Sequence, residues 1–222
     1  MDMRDSETII KMSMISLEKK FVYQCMKRIM DIIGSIFGII FFSPLCLLIM
    51  LAVKLDDPKG DIFYGHERIG RDGRTFKCWK FRTMLSNAKE LFEQFTPEQK
   101  KEYEENFKLK DDPRITRLGS FLRTTSMDEL PQFYNILRGD MSLVGPRPIV
   151  QAELEKYGEF QEIYKCVRPG LTGMWQVMGR SDTTYEQRIS MDVEYVNSMS
   201  VFLDIRLIFL TVVKVIKKEG AY

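Results

Sequence analysis

The chain has 222 residues, enough for one globular domain and a short additional segment. Hydrophobic residues make up 45% and charged residues 29%, a composition that excludes an intrinsically disordered chain. The net charge of +2 identifies no partner, and basic residues alternate with acidic ones without a reader motif, which argues against nucleic-acid binding. The four cysteines and the single histidine have neither disulfide-framework nor zinc-ligand spacing.

The chain begins with an amphipathic lead-in over residues 1–28, followed by a membrane segment over residues 29–55. Residues 32–53 are uncharged and mostly apolar. As a straight helix this stretch would be about 33 Å long, which is enough to cross a hydrocarbon core of about 30 Å. Hydropathy alone therefore predicts one transmembrane span.

Two features of this stretch favour a different path. Basic residues flank both of its ends, with Lys27 and Arg28 before it and Lys54 after it, so neither flank has the composition of a translocated loop. Ser43 and Pro44 lie at its middle, where proline breaks the helix and the serine hydroxyl can satisfy a freed backbone group. We therefore predict a re-entrant helix-break-helix hairpin that returns to the cytoplasmic side. A kinked span and a buried helix of a soluble core remain as alternatives.

The turn-forming residues 56–61 mark the start of a cytosolic domain, which we place at residues 56–222. Its first feature is a predicted β-hairpin, in which β-like runs at 62–64 and 75–81 flank the dipeptide Asp72-Gly73. A capping box at Thr96 and Gln99 predicts a helix start within the charged segment that follows.

Residues 114–138 have an amphipathic pattern, and further helices are predicted over residues 149–166 and 183–198. The short apolar run 207–213 precedes a lysine cluster, which suits an interfacial helix; packing into the core is the alternative. The predicted fold is mainly α with a small β-hairpin element: a re-entrant membrane helix-break-helix and a compact cytosolic α/β domain with interfacial amphipathic helices.

Asp128 and Glu129 form an adjacent acidic pair just before Pro131, at a predicted helix start. The ordinary interpretation is capping, either by Asp128 or by a box of Ser126 and Glu129. The functional interpretation is that the two carboxylates diverge and take separate tasks, one attacking phosphorus or binding a metal and the other handling a proton.

Basic residues are dense around this pair. They are Arg68, Arg71, Arg74, Lys77, Lys80, Arg82, Arg114, Arg117, Arg123, Arg147 and Arg168. Each alone is typical of a solvated surface, but together with glycine-containing loops they suit phosphate binding. A diphosphate beside two carboxylates also calls for a divalent cation, and Mg²⁺ is the usual partner of such hard oxygen ligands.

Several motifs in this chain together resemble the monotopic bacterial polyprenyl-phosphate phosphoglycosyl transferases, which initiate capsule, exopolysaccharide and glycoconjugate synthesis. They are the Ser43-Pro44 break, KFRTM (80–84), DPRIT (112–116), DELPQ (128–132), GDMSLVGPRP (139–148), RPGLTG (168–173) and WQ (175–176). The resemblance covers residues 25–215, and the order of the motifs is highly specific.

By this resemblance Asp128 would be the nucleophile that takes a phosphosugar from a UDP-sugar and releases UMP, and would also bind Mg²⁺. Glu129 would assist transfer of the phosphosugar to polyprenyl (undecaprenyl) phosphate. The phosphate-positioning residues implied by the resemblance are Lys80, Arg82, Arg114, Arg147 and, less directly, Arg168.

The resemblance also implies a place for the protein, at the cytoplasmic face of the bacterial cell membrane among its lipids. It leaves open the sugar, the pathway, the polyprenyl length and whether the chain forms a homodimer. A membrane adaptor that binds nucleotides or lipid head groups, and a phosphatase that uses the same aspartate, are the competing hypotheses.

Overall fold

The structure is a computed structural model that describes residues 21–106, 109, 111–179 and 183–217, so most of the predicted lead-in lies outside the described residues. The helices within these ranges are α1 (Phe21–Asp56), α2 (Ala88–Glu93), α3 (Pro97–Asn106), α4 (Arg117–Thr124), α5 (Gln132–Arg138), α6 (Gln151–Glu155), α7 (Gln161–Lys165), α8 (Met174–Met178), α9 (Tyr185–Ser198) and α10 (Val201–Lys217). The strands are β1 (Phe63–Ile69), β2 (Thr75–Phe81), β3 (Ser142–Val144) and β4 (Gly170–Thr172). The fold is mostly helical, as predicted.

Helix α1 contains the predicted membrane segment and runs through Pro44 without a break in its helical assignment. Pro44 has no N–H to donate to the carbonyl of Ile40, and the hydroxyl of Ser43 donates to that carbonyl instead, at 2.8 Å. The local repair at Ser43 is therefore present, but two separate helical halves are not seen. The re-entrant path stays a prediction.

One face of α1 packs against the rest of the protein and the other is exposed. The buried positions are Asp31, Ser35, Gly38, Ile49 and Val53. A Cβ at Gly38 would lie 2.7 Å from Cε1 of Phe133, so a glycine lets α1 approach α5 closely. The large exposed side chains at the middle of the helix are Phe37, Ile40, Phe41, Leu47, Leu48 and Leu51. Within the described residues, α1 alone is long and apolar enough to cross a membrane.

The predicted β-hairpin is confirmed, with β1 and β2 pairing antiparallel. Strand β1 continues to Ile69, well beyond the predicted run 62–64. Asp72 and Gly73 at the turn have φ values of 59° and 72°, the left-handed conformation that an Asp-Gly turn favours.

The other predicted elements differ in their outcome. The capping box is confirmed, because Thr96 and Gln99 exchange backbone-to-side-chain hydrogen bonds of 3.0 and 3.2 Å. The predicted helix 183–198 corresponds to α9. The single helix predicted for 149–166 is wrong, since a 3-10 turn at Gly158–Phe160 separates α6 from α7.

Helix α10 extends the predicted apolar run 207–213 in both directions. Leu207 is fully buried in the main hydrophobic core, whereas Phe202, Ile205 and Phe209 are exposed. Core packing and an exposed apolar stripe therefore occur on opposite faces of the same helix.

Candidate active site

The acidic pair lies in a 3-10 turn, Met127–Glu129, that joins α4 to α5. Pro131 immediately precedes α5, so the pair stands just before the helix start rather than in its first turn. Ser126 makes no side-chain capping hydrogen bond, and its φ of 56° is left-handed. The capping-box interpretation of Ser126 and Glu129 is therefore wrong. Asp128 is not the N-cap of α5 either, because Pro131 occupies that position.

Lys80, at the end of β2, contacts both carboxylates. Its Nζ lies 2.6 Å from Oε1 of Glu129 and 3.6 Å from Oδ2 of Asp128. Arg147 approaches from the loop after β3, with an Nη2–Oε1 distance of 3.9 Å to Glu129. The fold thus brings together four of the residues that the sequence selected, Asp128, Glu129, Lys80 and Arg147.

The two carboxylates have different electrostatic surroundings. Burial raises the pKa of Asp128, an effect that Lys80 opposes. Burial also raises the pKa of Glu129, but Lys80 and Arg147 outweigh this effect and lower it to about 2. The surroundings therefore favour the ionised form of Glu129 more strongly than that of Asp128.

A shallow cleft that is open to solvent lies beside the pair. The cleft is lined by Arg68, Cys78, Lys80, Glu129, Gln132, Arg147, Pro148, Leu171 and Gln176. Gln132 is buried and also hydrogen-bonds Glu129, so it helps to fix that carboxylate. Three cations and one carboxylate in the lining give the cleft a positive character suited to an anion.

Arg82 is placed elsewhere than the sequence led us to expect. Its Nη1 lies 2.7 Å from Oδ2 of Asp57, and its Nη2 donates to the carbonyl oxygens of Val53 and Asp57. These contacts join β2 to the C-terminal end of α1. The guanidinium of Arg82 is therefore already occupied by groups at the end of α1. Phosphate binding by Arg82 stays a prediction.

Arg114 and Arg168 are also committed to contacts away from the acidic pair. Arg114 forms a two-point ion pair with Asp112 at 2.8 and 2.6 Å. The aromatic rings of Phe92, Phe95 and Tyr103 surround its guanidinium at 5.0 to 5.3 Å. Arg168 donates from Nε to the carbonyl of Gly139 at 2.8 Å. The structure does not bring either residue into the cleft lining.

Two other arginines of the basic set, to which the resemblance gave no role, also approach the site. Arg123 lowers the pKa of Asp128 through its charge and donates to the Thr83 hydroxyl at 2.9 Å. Arg68 lines the cleft. The signal for Arg123 was its separation of five residues from Asp128, whereas nothing in the spacing of Arg68 pointed to the acidic pair.

The sequence that forms this site is similar to sequences of known proteins. The sequence profile of a family described as bacterial sugar transferase matches residues 22–218 of this chain. The chain belongs to the bacterial sugar transferase family. The match covers α1, the hairpin, the acidic pair and α10 in one continuous stretch.

Individual bacterial sugar transferases are similar over most of this chain. An uncharacterized sugar transferase of Haemophilus influenzae is 48% identical over 98% of the chain and 46% of its own length. The exopolysaccharide production protein ExoY of Sinorhizobium fredii is 48% identical over 88% of each. The undecaprenyl-phosphate galactose phosphotransferase of Salmonella typhimurium is 46% identical over 89% of the chain and 42% of its own length. The chain thus spans less than half the length of the Haemophilus and Salmonella relatives.

Proposed function

We propose that this chain transfers a sugar-1-phosphate from a UDP-sugar to polyprenyl phosphate, giving polyprenyl-diphosphate-sugar and UMP. The observation that carries the proposal is the contact of Lys80 with both Asp128 and Glu129 at the edge of a basic cleft. The name of the Salmonella relative specifies a phosphosugar transfer onto undecaprenyl phosphate. That name supports an enzyme over a non-enzymatic adaptor, and the Sinorhizobium name suggests a role in exopolysaccharide synthesis.

In the proposed first step an Oδ of Asp128 attacks the sugar-bearing phosphorus. The bond between this phosphorus and the bridging oxygen breaks, and UMP leaves with the electron pair on that oxygen. In the second step a phosphate oxygen of the polyprenyl phosphate attacks the same phosphorus, and the aspartyl oxygen leaves as a carboxylate. Splitting one transfer into two displacements is a general use of a carboxylate nucleophile.

The surroundings of Asp128 suit this task. Lys80 and Arg123 favour its ionised, nucleophilic form, and both raise the positive potential that an incoming diphosphate meets. Glu129 is held by Lys80 and Gln132 and remains charged. We therefore assign Glu129 to the second step, where as a charged group it holds Lys80 in position to orient the acceptor phosphate.

The side chains of the site fit Mg²⁺ only in part. Among the described residues no three His, Cys, Asp or Glu side chains form a metal-binding group. Mg²⁺ is commonly held by one or two carboxylates, waters and substrate phosphates, so Asp128 together with the donor diphosphate would complete such a site. When bound, the ion would neutralise charge on the diphosphate and reduce its repulsion from the carboxylates.

The contacts of α1 support an active site at the membrane surface. Near its N-terminal end Lys27 pairs with Asp204 of α10 at 2.9 Å. Just beyond its C-terminal end Asp57 pairs with Arg82 of the catalytic domain. Because both ends bind the same domain, both are expected on the cytoplasmic side, which agrees with the re-entrant path that we propose. A polyprenyl phosphate could then present its phosphate at the depth of Asp128.

The test is a release assay with the purified chain in lipid nanodiscs, Mg²⁺, undecaprenyl phosphate and a panel of UDP-sugars that begins with UDP-galactose. We expect UMP and the lipid-linked sugar to form in equal amounts. Asp128→Asn removes the nucleophile and should reduce the rate by about a thousandfold or more. Asp72→Asn makes the same chemical change at the exposed hairpin turn and should leave the rate unchanged.

Two results would refute the proposed function. Full turnover by the Asp128→Asn variant would exclude the aspartyl intermediate. Release of free sugar phosphate at the same rate with and without the lipid acceptor would identify a hydrolase instead. A phosphosugar adduct on Asp128, detected by mass spectrometry after donor addition without acceptor, would support the two-step route.

A further inference from the structure

The cleft holds more positive charge than its own carboxylate can balance. Lys80, Arg68 and Arg147 line it together with a single acid, Glu129. Glu129 accepts the short contact from Lys80 and lies 3.9 Å from Arg147. Arg68 finds its ion-pair partner behind the cleft lining, in Glu153 of α6 at 3.2 Å. Arg68 and Arg147 thus both line an open cleft whose lining contains a single carboxylate, that of Glu129.

The guanidinium of Arg68 is held in one orientation by two partners. Its Nη1 donates to Oε2 of Glu153 at 3.2 Å, and its Nη2 lies 3.1 Å from Nδ1 of His66. Oε2 of Glu153 also accepts the backbone N–H of Val150, which fixes the carboxylate itself. These two contacts use only two of the five N–H donors of a guanidinium. Because Arg68 also lines the cleft, its remaining donors can bind a ligand there.

His66 acts here as a neutral acceptor. Burial lowers its pKa to about 4, and the charges of Arg68 and Lys80 act in the same direction. At physiological pH the Nδ1 atom therefore accepts from Arg68 and the proton stays on Nε2. The acceptor pair of His66 and Glu153 presets the guanidinium before any ligand arrives, which lowers the entropic cost of binding.

Two nearby guanidinium groups repel each other. Burial lowers the pKa of Arg68, and Arg147 lowers it further, whereas Glu153 raises it. An anion between the two arginines would turn this repulsion into attraction. Phosphate is the anion whose geometry matches the planar fork of arginine, and bidentate contacts of this kind are roughly twice as strong as neutral hydrogen bonds.

We infer that Arg68 and Arg147 form the subsite for the phosphate that leaves with the nucleotide, while Lys80 holds the phosphate that Asp128 attacks. The assignment rests on the proposed function and on which cation touches the acidic pair. Lys80 touches both carboxylates. Arg147 reaches only Glu129, at 3.9 Å, and Arg68 contacts Glu153 and His66 instead. As the bond to the bridging oxygen breaks, negative charge grows on the departing UMP, and the two guanidinium groups stabilise it.

The inference is tested by the affinity of the full chain for UMP and for uridine, measured by isothermal titration in lipid nanodiscs. Arg68→Gln should weaken UMP binding by between about tenfold and a hundredfold, the effect of losing a charge-assisted hydrogen bond. Uridine, which has no phosphate, should bind both proteins equally. Arg74→Gln is the matched control, because Arg74 is exposed on the same hairpin and outside the cleft lining, and it should change neither affinity.

Arg68→Lys separates charge from shape. Lysine keeps the cation but loses the fork, so UMP binding should fall by less than in Arg68→Gln and remain weaker than in the unmodified chain. UMP affinity within about twofold of the unmodified chain in both variants would overturn the inference. An equal loss of UMP and uridine binding in both variants would also overturn it, because Arg68 would then support the shape of the cleft rather than a phosphate.

The same preparations separate this inference from the proposed function. If the unmodified chain releases no UMP from any UDP-sugar in the presence of acceptor, the proposed function fails whatever the affinities are. If the unmodified chain turns over and Arg68→Gln binds UMP normally, only the subsite fails.

Discussion

At the scale of single residues, Asp128 and Glu129 show how neighbours in sequence can differ in chemistry. Both are shielded from solvent, but Lys80 lies 1.0 Å closer to Glu129 than to Asp128, since the two contacts measure 2.6 and 3.6 Å. Together, the positive charges of Lys80 and Arg147 lower the pKa of Glu129 to about 2. Asp128, whose pKa is raised by burial, therefore determines where the site loses its nucleophile as pH falls.

The first prediction concerns the acid limb of the pH–rate profile. The rate of UMP release should fall as pH decreases, because protonation of Asp128 removes its negative charge. Lys80→Met removes the cation that most strongly lowers the pKa of Asp128, so the acid limb should move to higher pH. The measurement is kcat/KM for UMP release between pH 4 and 9.

The position of the limb is the readout, because Lys80→Met also lowers the rate at every pH through its loss of phosphate binding. Arg74→Gln serves as the control and should leave the limb in place. An acid limb that does not move in Lys80→Met would mean that Asp128 is not the group that titrates.

The second prediction concerns Arg82. Its sequence motif predicted phosphate binding, whereas its contacts indicate that it attaches the end of β2 to the end of α1. It bridges Asp57 and the carbonyl oxygen of Val53 at the end of α1. Arg82→Gln should therefore lower the midpoint of thermal unfolding by several degrees, because it leaves the carboxylate of Asp57 and two carbonyl oxygens without their donor. UMP affinity of the folded variant should stay within about twofold of the unmodified chain.

Differential scanning calorimetry and titration with UMP check both parts. The opposite pattern, an unchanged unfolding midpoint with weakened UMP binding, would restore Arg82 to the phosphate site. Asp57→Asn is the partner variant and should lower the unfolding midpoint in the same way, because Asp57 also accepts the backbone N–H of Ser86.

At the scale of elements, α1 combines an apolar exposed face with ends that are tied to polar groups of one domain. Asp31, at the start of the apolar stretch, accepts the hydroxyl of Ser142 and the backbone N–H of Leu143, both at 2.9 Å. These bonds join α1 to β3, and the loop after β3 carries Arg147. Helix α1 and the loop that we propose to bind phosphate are therefore one packed unit, so the depth of α1 in a membrane would set the depth of the site.

The third prediction follows from these ties and concerns topology. Cys25 is exposed near the start of α1, and Lys59→Cys places an exposed thiol just after its end. If α1 returns to its starting side, a membrane-impermeant maleimide should label both thiols in inside-out vesicles and neither in right-side-out vesicles. Residue 59 is preferred to the neighbouring Gly60, where a Cβ would lie 2.5 Å from Cζ of Arg82.

Each thiol is tested alone, in a chain in which Cys46, Cys78 and Cys166 are replaced by alanine, with Cys25→Ser added for Lys59→Cys. Labelling of the two positions from opposite sides would show that α1 crosses the bilayer and would refute the re-entrant path. Ser43→Ala is a companion variant for the same labelling experiment. The hydroxyl of Ser43 satisfies the carbonyl that Pro44 leaves without a donor, and the variant removes it.

At the scale of the whole molecule, the sequence predicted the local features best. The apolar stretch, the Asp-Gly hairpin and the capping box of Thr96 and Gln99 each depend on residues close in sequence. Lys80 and Arg147 lie beside the acidic pair, as expected. The capping interpretation of Ser126 failed because the 3-10 turn orients that residue differently from a helix start.

The contacts of the other arginines could not be predicted from the sequence. A guanidinium pairs with whichever acid, carbonyl or ring the fold brings near, and several of these partners lie at long sequence separations. Arg82 meets Asp57, and Arg114 meets the rings of α2 and α3. Arg68 belongs to the cleft because β1 pairs with β2, which carries Lys80, and no motif spacing encodes that neighbourhood.

The last prediction concerns the exposed apolar stripe of α10, which is formed by Phe202, Ile205, Phe209 and Val212. Exposed contiguous apolar surface indicates a membrane or protein contact. The lysines Lys214 and Lys217 at the end of the helix suit anionic lipid head groups. Since Lys27 of α1 pairs with Asp204 on the opposite, buried face, we expect α10 to lie in the interface and fix the tilt of the domain around α1.

The double variant Phe202→Ser/Phe209→Ser tests this placement. Each phenylalanine should contribute about 2 kcal/mol of apolar burial in the interface. Because α1 remains inserted, we expect the protein to stay in the membrane fraction and its UMP affinity to be unchanged. Turnover with undecaprenyl phosphate should fall by about tenfold, since the domain loses the contact that orients Asp128 towards the acceptor.

Glu194→Ser, an exposed substitution on α9, controls for a general surface effect. Unchanged turnover in the double variant would show that the stripe does not face lipid, and cross-linking of two chains through it would identify a homodimer contact instead.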